Sequence, residues 1–233
     1  MNAPIKATEP RRLYQQIADQ IRGLIQGGHF AAGDRLPAER DLAQQLGVSR
    51  PSLREALIAL EIEGSVEIRM GSGIYITAET ERRPLQTGSM GESPIELMEA
   101  RVAVEGTVAL AAAARISQEG LTLLRQTLDA MRAEIEAGRK PLDQDRLFHL
   151  TIAAEGGNSV LAQIVGDLFD ERHSPISAQL RTRFETPETW HLALREHEAI
   201  LTALQARDPL LVQAMMHAHL EQSKRRLMEN EPR

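Results

Sequence analysis

A chain of 233 residues with 42% hydrophobic but only 3% aromatic side chains can build one large core or two modest ones. It must fill them with Leu, Ile, Ala, Val and Met, which suits packed helices better than a β-sandwich. It has no cysteine, which excludes disulfides and cysteine-ligated zinc.

The net charge of −6 is unevenly spread. Residues 1–78 carry nine basic and nine acidic groups, while residues 79–233 carry 18 and 24. The acidity belongs to the second part, so it does not exclude an anionic partner for the first. The opening MNAPIKATEPRR lacks an apolar core, and no stretch approaches the ~20 apolar residues of a membrane span. A soluble cytoplasmic protein with no membrane partner is expected.

Leu13, Ile17, Ile21 and Leu24/Ile25 recur at helical spacing until Gly27-Gly28 stops the pattern. Pro37 stands near the start of a short helix with Glu39 and Asp41 in its first turn; Leu42, Ala43 and Leu46 give its apolar side, and Gly47 suits a left-handed closing residue. Ser49 is placed to cap the next helix, whose Leu53, Ala56, Leu57 and Leu60 form one stripe up to Gly64. Val66-Glu67-Ile68 and Ile74-Tyr75-Ile76 alternate around Met70-Gly71-Ser72-Gly73, a hairpin signal. Helix, turn, capped helix and glycine-tipped hairpin make a winged helix-turn-helix over residues 1–78.

On a helical wheel Arg54 lies about 40° from Arg50, and both flank the apolar stripe rather than join it. Arginines so placed can fork onto guanine or clamp a phosphate, and Ser49 and Ser52 add short hydroxyls. Arg40 is placed for a phosphate, while Gly71 and Gly73 leave a slim tip able to approach a minor groove. The bland alternative is a helical hairpin with ordinary solvated charges.

Residues 79–93 carry no periodicity and several turn formers, and read as a linker. From Pro94 on the pattern is helical, with helices expected near 94–115, 117–137, 141–155, 158–173, 175–184, 188–206 and 209–229. The fold class is therefore mainly α: a winged helix-turn-helix with a small β-hairpin wing, then an all-α helical bundle over 94–233.

Asp145 and His149 are four apart and meet on one helix face. His197 precedes Ile200, Leu201 and Leu204, and His219 follows Met215 and Met216, each on an apolar stripe. Three imidazoles and a carboxylate aimed into a bundle suit Zn²⁺, Mn²⁺ or Ni²⁺. Singly, each histidine could instead be a core residue satisfied by a hydrogen bond. His173, His191 and His217 read as surface or outer residues.

The segments LPAERDLAQQLGVSRPSLREALIALEIEG and GSGIYI resemble the N-terminal domain of GntR-family bacterial regulators. That resemblance runs from about Leu13 to Thr77 and implies DNA contacts at Arg40, Ser49, Arg50, Ser52, Arg54 and Gly71. The second part is similar to the helical FCD effector domain of the FadR-type branch, through ELMEARVAVEGTVALAAA, EGGNSVL and the ligand order. The resemblance implies that Asp145, His149, His197 and His219 hold a divalent metal, Zn²⁺ foremost, and that Arg101 helps bind a small organic-acid effector.

These readings converge on a dimeric, ligand-responsive repressor of a palindromic double-stranded DNA operator, and not an enzyme. Two alternatives stay open at this point. One is a metal-dependent enzyme fused to a DNA anchor, although no HExxH-type base stands beside the histidines. The other is a metal-free dimerisation domain.

Overall fold

A computed structural model describes residues 12–78 and 90–228. They form two compact units: residues 12–78, 90–93 and 174–179 in the first, and residues 94–173 and 180–228 in the second. The outer residues of the expected 1–78 and 94–233 segments, and most of the expected linker, lie outside the described residues.

The first unit is built on α1 (Leu13–Gln26), α2 (Glu39–Leu46) and α3 (Arg50–Ile62), followed by β1 (Val66–Arg69) and β2 (Gly73–Ile76). α1 and α2 pack on α3, and α3 packs on β1. α1 buries Tyr14, Ile17, Ala18, Ile21 and Ile25, the face its spacing predicts. α2 ends at Gly47, whose φ of 67° is the left-handed geometry that relieves a helix terminus without a Cβ clash. Ser49 then caps α3 by accepting the Ser52 N–H at 3.1 Å.

α3 departs from the expected single stripe. Every residue from Leu53 to Leu60 is buried, including Arg54 and Glu55, so this helix is the centre of its unit. Each of its leucines contributes about 1.5–3 kcal/mol by leaving water.

The wing is wider than a hairpin. β1 and β2 pair antiparallel with Val66 opposite Ile76, Glu67 opposite Tyr75, Ile68 opposite Ile74 and Arg69 opposite Gly73. Residues 33–36 add to the far side of β2: Leu36 N–H donates to Ile74 O at 2.8 Å, Ile76 N–H to Asp34 O at 2.9 Å, and Arg35 bridges Tyr75. No alternation in GDRLP announces this pairing.

The second unit contains α4 (Pro94–Arg115), α5 (Gln118–Glu136), α6 (Leu142–Glu155), α7 (Ser159–Asp170), a 3-10 turn at Glu171–His173, α9 (Pro187–Gln205), α10 (Pro209–Met228) and the end of α8 (Pro175–Phe184). α4 packs on α6, α7, α9 and α10; α5 packs on α6 and α9; α9 packs on α10. The expected helix over 158–173 closes earlier, its last turn tightening into the 3-10 turn.

A continuous core of Ala, Leu, Ile and Met side chains with Phe148 fills the bundle. Ser117 caps α5 through the Gly120 N–H at 2.9 Å, and Glu155 locks that cap by accepting from both Ser117 N–H and Oγ. No helix among the described residues is long and apolar enough to cross a membrane.

Candidate metal centre and nucleic-acid interface

α6, α9 and α10 bring Asp145, His149, His197 and His219 together, each offering one ligand atom within 4.8 Å of all the others. The three histidines are buried and Asp145 is half-buried. The Nε2 atom of His197 lies 3.2 Å from His149 Nε2 and 3.1 Å from His219 Nε2. Asp145 Oδ1 stands 3.4 Å from His197 Nε2 and 3.8 Å from His149 Nε2.

The outer nitrogens settle which atoms face inward. His149 Nδ1–H donates to Glu105 of α4, and His219 Nδ1–H donates to Glu196 of α9 at 2.8 Å. With the proton on Nδ1, the neutral form of each ring turns an Nε2 lone pair toward His197. A proton on His197 Nε2 satisfies one of them and leaves the other lone pair facing it. His197 Nδ1 is itself buried without a partner among the described residues. Hydrogen bonding alone therefore leaves this triad incomplete. The donor set fits a divalent ion: ligands held about 2.0–2.1 Å from a common centre stand roughly 3–3.5 Å apart. Carboxylates on the outer nitrogens are the usual way such ligands are oriented.

The charges around the cluster are matched. Glu105 accepts from Arg101 at 2.6 Å, Arg172 binds Asp145, and Arg226 grips Glu196 at 2.6 and 2.8 Å. Burial raises the Glu105 pKa, but Arg101 and His149 overcome it and hold the group at about 2. Burial also acts upward on Asp145, yet the Arg172 guanidinium beside it brings it below the usual carboxylate range. Burial drives His197 well below the ordinary imidazole value, with His219 adding to the effect. His219 is lowered by burial despite its bond to Glu196. Neutral imidazoles and ionised carboxylates are the forms that ligate metals.

Arg101, 3% exposed, also faces this cluster. Its guanidinium lies 4.0 Å over the Phe169 ring, and its Nη2 is buried without a partner among the described residues. Beyond Phe169 and Arg172 a cleft is lined by Leu142, Asp143, Arg146 and Arg181.

Glu105, Arg172 and Glu196 were not singled out as site residues from sequence. Arg101-x₃-Glu105 is an i,i+4 pair that could have drawn notice. Glu196 points away from its neighbour His197 and reaches His219 instead. His173 and His191 are exposed as expected, while His217 is half-buried with its ring against Gly106 of α4.

On the first unit the expected DNA contacts are dispersed in character. Arg50 is exposed, and Arg40 is exposed beside Asp41 at 3.1 Å. Ser49 and Ser52 share a hydroxyl–hydroxyl bond of 2.8 Å at the start of α3. Gly71, with φ 72°, sits beside exposed Met70 at the wing tip. Arg54 corrects the wheel-based reading: it is 7% exposed and donates to Glu39 of α2 at 2.7 Å. Position on a wheel does not reveal that a neighbouring helix covers that flank.

A family model described as "Bacterial regulatory proteins, gntR family" matches residues 13–76, and one described as "FCD domain" matches residues 96–222. The chain belongs to the GntR family. Within this GntR-family chain, the first match covers the winged helix-turn-helix and the second the helical domain that carries the histidine cluster. It is 35% identical over 227 residues to the Exu regulon transcriptional regulator of Escherichia coli K12, covering 94% of this chain and 86% of that one. It is 34% identical over 230 residues to the Uxu operon transcriptional regulator of the same organism, covering 96% and 90%. A solved structure titled Streptococcus agalactiae GntR shares the fold at a TM-score of 0.50 and 26% identity, over 91% of this chain and 99% of that one. The protein is accordingly a DNA-binding transcriptional regulator with an FCD effector domain, and not an enzyme.

Proposed function

We propose that this regulator binds a palindromic operator as a homodimer in the cytoplasm and represses transcription until a small carboxylate occupies its helical domain. The observation that carries the reading is the convergence of three imidazole Nε2 atoms and Asp145 beside a buried, half-partnered Arg101. A divalent ion, Zn²⁺ foremost with Mn²⁺ or Ni²⁺ as alternatives, would be held by Asp145, His149, His197 and His219 and would supply a Lewis-acidic position for a carboxylate oxygen.

Charge balance argues for an anionic effector. Glu105, Asp145 and Glu196 are already matched by Arg101, Arg172 and Arg226. A divalent charge added to that balanced, buried set calls for a compensating anion. Arg101 Nη2 offers the donor that such an anion would accept from.

An effector shifts the protein between states only through different affinities for them. Arg101 and Glu105 lie on α4, His149 on α6, His197 and Glu196 on α9, and His219 on α10, so one bound anion can bias the packing of four helices.

The test is a thermal-shift screen of small organic acids on metal-loaded wild type and Arg101→Ala. Stabilisation of wild type by a carboxylate, reduced at least tenfold in apparent affinity by Arg101→Ala, supports the reading. No metal-dependent response to any carboxylate overturns it.

A further inference from the structure

The first unit contains seven described arginines, and five of them are engaged with carboxylates: Arg12 with Glu92, Arg22 with Asp19 and Glu63, Arg40 with Asp41, Arg54 with Glu39, and Arg69 with Glu67. Among the described residues, Arg35 and Arg50 have no such partner. Arg50 opens the helix already assigned to DNA reading. Arg35 stands elsewhere, on the strip that widens the wing, and no motif points to it.

The backbone explains where Arg35 is held. Leu36 is buried, so alternation along the strip turns Arg35 outward. It is paired across the sheet with Tyr75, which itself faces Glu67 on β1. Gly73, one residue past the wing tip, has φ 119°, and a Cβ there would collide with the Arg35 guanidinium. The missing side chain makes the seat over which that guanidinium lies. An exposed arginine, fixed at its root by strand pairing and along its length by a glycine seat, is a pre-placed cation.

We infer that Arg35 is a phosphate contact of the wing, gripping the DNA backbone beside the groove that the Gly71–Gly73 tip approaches. Backbone and not base is the occupant because the residue lies back from the tip, on the face of the sheet. Free guanidinium next to a backbone-thin glycine turn is suited to a phosphate oxygen. Tyr75, with its hydroxyl bonded to Ser72 at 3.0 Å and Arg69 over its ring at 4.5 Å, stiffens the same face.

A phosphate contact has a signature that a base contact lacks. Each neutralised phosphate adds about 0.9 to the slope of log affinity against log salt. The full-length protein is titrated by fluorescence anisotropy against a duplex that it enriches from a random pool, and against a random-sequence duplex, at 50 and 200 mM salt. Losing one contact lowers the ratio of affinities at the two salts by about three- to fourfold. Arg35→Ala is expected to show that drop equally on both duplexes, with an unchanged thermal midpoint. Arg35→Lys, which keeps the charge, is expected to restore the slope.

An unchanged slope in Arg35→Ala overturns the inference, as does a loss confined to the enriched duplex or a slope that lysine fails to restore. Arg50→Ala run in parallel separates the two claims. Weakened binding there with Arg35→Ala unaffected leaves the recognition helix standing and removes Arg35 from the interface.

Discussion

One carboxylate of α4 serves two masters: Glu105 accepts from His149 Nδ1 through one oxygen and from Arg101 Nε through the other, at 2.6 Å for the arginine. The residue that orients an imidazole of the candidate metal centre therefore also holds the guanidinium proposed to meet the effector. Glu105→Gln keeps the size but removes the charge, so metal affinity should fall about 10–100-fold. A competition titration with a chromophoric zinc chelator measures this, and an affinity equal to wild type would detach Glu105 from the centre.

His197 sits between the two other imidazoles, and its removal opens the cluster. Purified wild type should carry close to one divalent ion per chain by elemental analysis, and His197→Ala should carry only background. A metal present at about 100 times its dissociation constant stabilises the fold by about 2.7 kcal/mol, worth roughly 5–10 °C for a chain of this size. Chelation should therefore lower the wild-type midpoint and leave His197→Ala unmoved. Equal metal in both proteins would refute the ligand set.

Arg50 and Arg54 should part company when replaced by alanine. Arg50 is exposed and unpaired among the described residues, so Arg50→Ala should weaken DNA binding without a change in thermal midpoint. Arg54 is buried against Glu39, and its loss strands a partly covered carboxylate, so Arg54→Ala should cost about 1–3 kcal/mol by urea denaturation. Equal stability in the two variants would contradict the tie between α2 and α3.

Gly106→Ala tests the packing of α4 on α10. An added methyl would collide with the His217 ring, and nearby Val108, Ala109 and Ala112 are buried. A cost of about 1–3 kcal/mol is expected. His217→Ala combined with Gly106→Ala should recover part of it. No cost in the single variant would mean that the ring has free space to withdraw.

The helices of the second unit were legible because their punctuation is strong. Pro94, Pro175, Pro187 and Pro209 stand at the first helical positions of α4, α8, α9 and α10, and Ser117 caps α5. The inward histidines were legible because apolar neighbours at helical spacing fix their face. What sequence could not show depends on a second element arriving from elsewhere. Glu105, Arg172 and Glu196 acquire roles only when α4, the 3-10 turn and α9 meet the cluster. Burial of Arg54 depends on where α2 lies, and the strip at 33–36 depends on β2 being present to accept it.

The bond from Arg54 on α3 to Glu39 on α2 has a consequence for signalling. It crosses the turn between the two helices, next to a core in which every residue from Leu53 to Leu60 is buried. A reading head clamped in this way has little capacity to bend. The proposed effector response would then act on whether this head meets DNA, not on the shape with which it does so.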